Sequence, residues 1–267
     1  MEDRKRIRLG HAVVDVISIK EVLALSRDFL SSPRAVPAVI TTVNAQFVHL
    51  AHQQPRFEAL LKRSDINVAD GMSLVFASHL FKHALPERIT GVELTVDLCQ
   101  LAAETGASAY LLGGKLGSAE AAAAHLETRF PGLRIAGVDC PPLGFENSPE
   151  LAAAVLAKIQ NARPALLIVC FGAPKQEFWI EENLSALPVK LAIGAGSAFD
   201  VLSGQSARAP QWMQRIGMEW FFRLCADPAR LWRRYLVGNS YFIWAVLIQA
   251  AGYRFIREPK LKDEVVL

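Results

Sequence analysis

Short runs rich in β-branched and apolar residues alternate with longer stretches of helical periodicity along most of this chain. That alternation limits the possible folds more than any other feature. The runs cover 38–43, 65–69, 109–112, 133–138, 166–171 and 191–193, and helical stretches fall near 45–62, 72–84, 91–105, 115–130, 149–161 and 175–187. Strands separated by helices need crossover connections, which give a parallel sheet covered by helices on both faces. The run L-L-I-V-C-F at 166–171 has no polar position, as expected of a strand buried on both sides. The expected fold class is therefore α/β, a Rossmann-like parallel sheet with a helical C-terminal appendage. The expected divisions are 1–106, 107–203 and 204–267, the last without any strand signal.

In such sheets, ligands bind beyond the carboxyl ends of the strands, where loops lead into helix N-termini. Candidate residues should thus follow strands directly. Thr42 and Asn44 leave the first run, and either could simply cap the next helix. Asp70 ends the 65–69 run and precedes Gly71. Its carboxylate suits a general base facing the crevice, or a capping group in an Asp-Gly turn. Gly113 and Gly114 open a G-G-x-x-G turn that lets backbone N–H groups approach an anion, or that merely turns the chain tightly. Gln176, in F-G-A-P-K-Q-E, can both donate to and accept from a sugar or base, and Asp200 can accept N–H bonds from a heterocycle. Either could equally be a capping residue. Arg88 alone reads as a surface arginine.

The tail differs in charge from the rest. Residues 208–257 hold eight arginines and two acids, Glu219 and Asp227, whereas 1–207 hold 19 basic and 21 acidic residues. Arg230, Arg233 and Arg234 share one helical face, and Arg223 ends the preceding helix. Trp212, Trp220, Trp232 and Trp244 lie in the same stretch. Guanidinium forks fit phosphates, and tryptophan settles where apolar matter meets water. The arginines are thus either a lipid-facing stripe or a phosphate clamp. The most apolar segment, 235–253, has an uninterrupted apolar part of only eight residues, 241–248, short of the roughly 20 needed to span a bilayer. It suits a helix lying in the headgroup layer, with Arg254 and Arg257 beyond it, or one packed on the core or on a second copy.

Other features exclude alternatives. Four widely spaced cysteines with no C-x-x-C pair suit reduced thiols in the cytoplasm, and the charged N-terminus has no apolar run of a signal peptide behind it. His79 and His83 stand at i, i+4 without a third ligand, so no metal site is expected, and no D-x-D or P-loop motif occurs. Two rival readings are a nicotinamide-dependent oxidoreductase, with Asp139 as its ribose-binding acid, and a non-enzymatic membrane-surface protein. The oxidoreductase leaves the arginine tail unexplained.

Together these segments resemble the WecG/TagA/CpsF family of bacterial glycosyltransferases. The resemblance rests on T-x-N at 42–44, A-D-G at 69–71, R-I-T-G at 88–91, L-G-G-x-x-G at 112–117, F-G-A-P-K-Q-E at 171–177, G-x-x-F-D at 196–200, S-G-x-x-x-R-A-P at 203–210 and E-W-x-x-R at 219–223. It implies inverting transfer from a UDP-sugar to a polyprenyl-diphosphate-linked saccharide at the inner membrane face. It also implies no cofactor or bound metal and no nucleic-acid partner; self-association stays open. By motif, Asp70 would be the base with Thr42 beside it, and Arg88 would lie near the reacting centre. Asn44 and Gln176 would orient the donor, Asp200 would contact uracil, and Arg223, Arg230 and Arg233 would close over the diphosphate. The 1–106 part would then carry acceptor and base, and 107–203 the UDP-sugar. Met72 and Ser73 after A-D-G, and L-G-F-E at 143–146, depart from the usual pattern and bear on which sugar is used: N-acetylmannosamine, its uronic acid or glucose.

Overall fold

The structure, a computed structural model, describes residues 4–252, the Arg230 side chain excepted. Near the N-terminus, Ile7 and Leu9 alternate with arginines, then Ala12 and Val14 follow a Gly-His turn. This period of two folds as an antiparallel hairpin, β1 (Arg6–Leu9) and β2 (Ala12–Asp15), with the apolar set buried. Arg6 Nε donates to Asp15 Oδ1 at 3.0 Å, and Asp15 Oδ2 accepts the Asn67 N–H at 2.6 Å, tying the hairpin to the main sheet. Helix α1 (Ile19–Ser31) starts at a reciprocal cap between Ser18 and Glu21. The runs and helical stretches above include neither the hairpin nor α1.

The alternating segments then follow as β3 (Ala38–Val43), α2 (Ala45–Gln53), α3 (Pro55–Arg63), β4 (Ile66–Ala69), α4 (Met72–Ser78), α5 (Gly91–Thr105), β5 (Ser108–Gly113), α6 (Ser118–Arg129), β6 (Arg134–Asp139), α7 (Pro149–Ala162), β7 (Leu166–Cys170), α8 (Lys175–Asn183), β8 (Leu191–Gly194) and α9 (Ala198–Leu202). Two helices are shorter than expected. The 45–62 stretch divides at Pro55, which has no N–H to continue a helix but fits the first turn of a new one. The 72–84 stretch stops at Ser78, whose hydroxyl donates to Val75 O (2.6 Å) and accepts from Leu85 N (2.8 Å), fastening the following loop instead. His79 and His83 therefore do not share a helical face.

Six strands form one parallel sheet in the order β4-β3-β8-β7-β5-β6. Ile40, Ile66, Leu111, Ile168 and Ile193 pack on one face against α1, α5, α6 and α9. Tyr110, Leu112, Leu167, Val169 and Ala192 pack on the other with Ile159, Trp179 and Ile180 of α7 and α8. The parallel α/β sheet covered on both faces is the fold that the alternation predicts. Strands from 1–106 and from 107–203 share it, meeting at the β3–β8 pair.

The tail is helical: α10 (Gln211–Arg215), α11 (Glu219–Ala226) and α12 (Pro228–Ala250). Phe242, Ala245 and Val246 of α12 are buried in a cluster with α2, α3, α4 and the hairpin. The Gln249 amide clips the hairpin turn, accepting from Gly10 N and donating to Arg8 O, both at 2.7 Å. The opposite face of α12 exposes Leu236, Val237, Ile243 and Leu247. Among the described residues no helix is long and apolar enough to cross a membrane. Arg254 and Arg257 lie outside the described residues.

Candidate active site

From β3 the chain continues to its neighbour β4 at one edge of the sheet, whereas β8, the last strand, leads out of the sheet into α9, and a crevice lies beyond the carboxyl ends of this pair. Loops after β3, β4, β5, β7 and β8 line a cleft of about 670 Å³, and α11 and α12, with the start of α5, Leu143 and residues 205–207, form its wall. Thr42, Asn44, Asp70, Arg88, Gly114, Gln176, Asp200 and Arg223, far apart in sequence, all line this cleft.

Asp70 follows β4 directly, its N–H bonded to Val43 O at 2.7 Å, so both flanking strands fix its backbone. Burial pushes its carboxyl up to about 7, and the Glu219 charge adds to this. Arg223, Arg88 and a hydrogen bond from the Gly91 N–H at the start of α5 pull the other way. A carboxylate poised there can accept a proton near neutral pH.

The neighbouring polar groups are mostly engaged in holding loops. Thr42 Oγ1 donates to Gly194 O at 3.0 Å, stitching β3 to β8. Asn44 Oδ1 caps α2 by accepting from Gln46 N at 3.0 Å. Gln176 is buried; its Oε1 accepts from Gly172 N (3.1 Å) and Gly196 N (3.0 Å), and its Nε2 donates to Glu177 Oε1 (2.6 Å). The amide thus locks the loops after β7 and β8 together. Asp200 Oδ1 accepts from Lys115 N at 3.0 Å, joining α9 to the loop after β5. Gly113 and Gly114 have φ of +99° and +86°, and a Cβ on Gly114 would stand 2.3 Å from Ser118 Oγ. Only glycine fits that turn, and Gly114 alone of the pair lines the cleft.

Arg88 is not a surface arginine: its side chain is 14% exposed and donates to Glu219 Oε2 (3.1 Å) and Gln214 Oε1 (3.2 Å). Arg223 donates to Glu219 Oε1 (2.7 Å) and Ser197 Oγ (3.2 Å). Arg233 is exposed with its guanidinium over the Trp232 ring, 5.4 Å from the centroid, whereas Arg234 lines the cleft. Trp220 and Tyr235 also line it. Sequence alone assigns no role to Glu219 or Tyr235, and reads Arg234 and Trp220 only as part of the basic, tryptophan-bearing tail. Glu219 carried a signal, since acids are scarce in that basic stretch. Glu177, buried behind Gln176, is pushed up to about 7 by its burial.

Asp139, which the oxidoreductase reading needs for a ribose, is held by Lys158 with both oxygens at 3.0 Å on the edge strand β6. Among the described residues no group of three or more His, Cys, Asp or Glu side chains is placed to hold a metal ion.

Comparison with known proteins identifies the family. The Glycosyl transferase WecG/TagA/CpsF family model matches residues 7–256. A Bacillus spizizenii protein named N-acetylglucosaminyldiphosphoundecaprenol N-acetyl-beta-D-mannosaminyltransferase is 33% identical over 227 residues, covering 85% of this chain and 86% of its own length. Proteins of the same name from Bacillus subtilis and Staphylococcus aureus are 32% and 30% identical, covering 84% and 85% of this chain and 85% and 89% of their own lengths. A family match across both the strand-end loops and the arginine-bearing helices makes this chain a member of the WecG/TagA/CpsF family of glycosyltransferases.

Proposed function

We propose that the protein transfers an N-acetylmannosamine-type sugar from its UDP-linked form to a polyprenyl-diphosphate-linked amino sugar at the inner face of the membrane. The single observation that carries this is Asp70 at the cleft floor with the charges of Arg88 and Arg223 acting on it. The names of the relatives support the choice of sugar and acceptor. In the proposed step the acceptor hydroxyl attacks the anomeric carbon as Asp70 takes its proton. The bond from that carbon to the UDP oxygen breaks on the opposite face, and the configuration inverts. Charge growing on the departing diphosphate is met by Arg88, Arg223 and Arg234, which take the part a cation plays elsewhere. Arg230, one turn before Arg234 on α12, is a further candidate for that contact. Thr42 and Asn44 sit beside the sugar, while Gln176 acts by shaping the loops around the diphosphate. Asp200 and Gly114 border the base-binding end of the cleft. The apolar outer face of α12, with Arg233 at its edge, rests on anionic lipid so that the acceptor's tail stays in the bilayer.

The test is a screen of UDP-sugars against a short-chain polyprenyl-diphosphate-linked N-acetylglucosamine acceptor, with products read by mass spectrometry. UDP-N-acetylmannosamine is expected to give the largest yield, and D70N is expected to lose transfer roughly a thousandfold while still binding UDP. Wild-type turnover by D70N removes Asp70 from the reaction. Preference for UDP-glucose overturns the sugar assignment but not the base.

A further inference from the structure

Glu219 occupies an unusual place between the two parts of the site. One of its oxygens pairs with Arg88, 131 residues earlier and just before α5; the other pairs with Arg223, one turn later on α11. Each arginine has a second, neutral anchor, Gln214 for Arg88 and Ser197 for Arg223, and Gln214 is itself held by Ala209 O at 2.7 Å. Among the described residues both guanidinium groups are ion-paired to Glu219 and neither to Asp70. The side chains of Glu219 and Arg88 are 16% and 14% exposed and that of Arg223 is 35% exposed, so the bridge is shielded from solvent on its Arg88 side and half-open at Arg223.

An aspartate in a direct ion pair with arginine is a poor proton acceptor, because its charged form is too well stabilised. A site that needs both a base and diphosphate-binding cations therefore has to keep them apart. We propose that Glu219 is a positioning residue whose carboxylate spaces Arg88 and Arg223 and withholds them from Asp70, so that the base stays available to the acceptor hydroxyl while the cations stay beside the leaving group. The inference rests on Asp70 being the base. The charged groups acting on Asp70 are Arg223 and Glu219 of α11 and Arg88 before α5, with the Gly91 N–H of α5 as a further donor. Of the three charges, only that of Glu219 disfavours the ionised form.

Removing that charge acts twice in one direction. Repulsion of the Asp70 carboxylate disappears, and the released arginines turn toward it. In E219Q the acid limb of the kcat/KM–pH profile, measured with UDP-N-acetylmannosamine and the polyprenyl-diphosphate-linked N-acetylglucosamine acceptor, is expected to move down by about one pH unit. Its kcat is expected to fall roughly tenfold, since a weaker base accepts the proton less well. Simple loosening of α11 would lower turnover without moving the limb. E219D keeps the charge but is one methylene too short to reach both guanidinium groups; one arginine is released, so the limb should move down by less than in E219Q while turnover still falls. A folded E219Q with an unmoved limb, or E219D with wild-type kcat, overturns the proposal while D70N remains inactive; full activity in D70N overturns the base instead. A readout independent of turnover is the difference in melting midpoint that D70N makes from pH 5 to 9. The pH at which this difference develops should be lower in the E219Q background, and an identical pH in both backgrounds counts against the proposal.

Discussion

The floor and the wall of the cleft are built on different principles. The floor consists of strand ends whose side chains are sealed in the sheet, and its loops are pinned by buried polar groups such as Thr42 and Gln176. The wall carries Arg223 on α11, a helix with no buried side chain, tied to the core by Glu219–Arg88 and Arg223–Ser197. Among the described residues, α12 is the helix of the appendage whose side chains enter a buried apolar cluster of the core. The placement of Asp70, the proposed base, thus draws on the stability of the whole fold. The placement of the cations depends on a few polar bonds, each worth about 1 kcal/mol net, or somewhat more when charged. Elements held in that way belong to the part of a protein that opens most readily.

Several substitutions would break or sharpen this contrast. Phe242→Ala empties a site that is 4% exposed at the α12–core contact and should cost about 3–5 kcal/mol in urea unfolding. A loss below 1 kcal/mol would mean that α12 is not the anchor. Arg223→Ala should leave the circular dichroism spectrum unchanged yet lower kcat/KM roughly a hundredfold, as expected when one donor to a growing negative charge is lost. Asp70→Asn should raise the melting midpoint by a few degrees at pH 8 and much less at pH 5. The carboxyl titrates near 7 in the fold and near 4 when unfolded, so the cost of ionising it grows between those values and stays constant above them. The smallest change in stability, within about 0.5 kcal/mol, is expected for Leu247→Gln on the outer face of α12. Its effect should instead appear as weaker cosedimentation with anionic vesicles.

The strand-end loops were legible in the sequence because two signals coincide there: an apolar run ends, and a polar or glycine residue follows it. Residues such as Asp70 and Gly114 needed no knowledge of distant parts of the chain. The missed hairpin and α1 also carried local signals, the alternation around Ile7 and the Ser18–Glu21 cap, but charged residues masked the first. What the sequence could not reveal depends on which face of a helix packs inward. Arg233 and Arg234 are neighbours, and a rotation of about 100° decides that the second lines the cleft while the first sits over Trp232. Glu219 illustrates the same limit, since its bridge to Arg88 spans 131 residues and leaves no periodic trace. The role expected for Gln176 changes for a related reason: residue type indicates that an amide can meet a ligand, but not that its bonds are already taken by two loops.

The clip between Gln249 and the hairpin turn also bears on how the protein is made. Synthesis runs from the hairpin to α12, so the turn emerges first and the amide that grips it emerges 239 residues later. The strands can assemble while translation continues, but the wall that carries Arg223 closes only after α12 has emerged. A polypeptide that stops before α11 therefore holds Asp70 and Arg88 without Glu219 and Arg223, and the proposed base meets its full set of charges only once the helical tail is made.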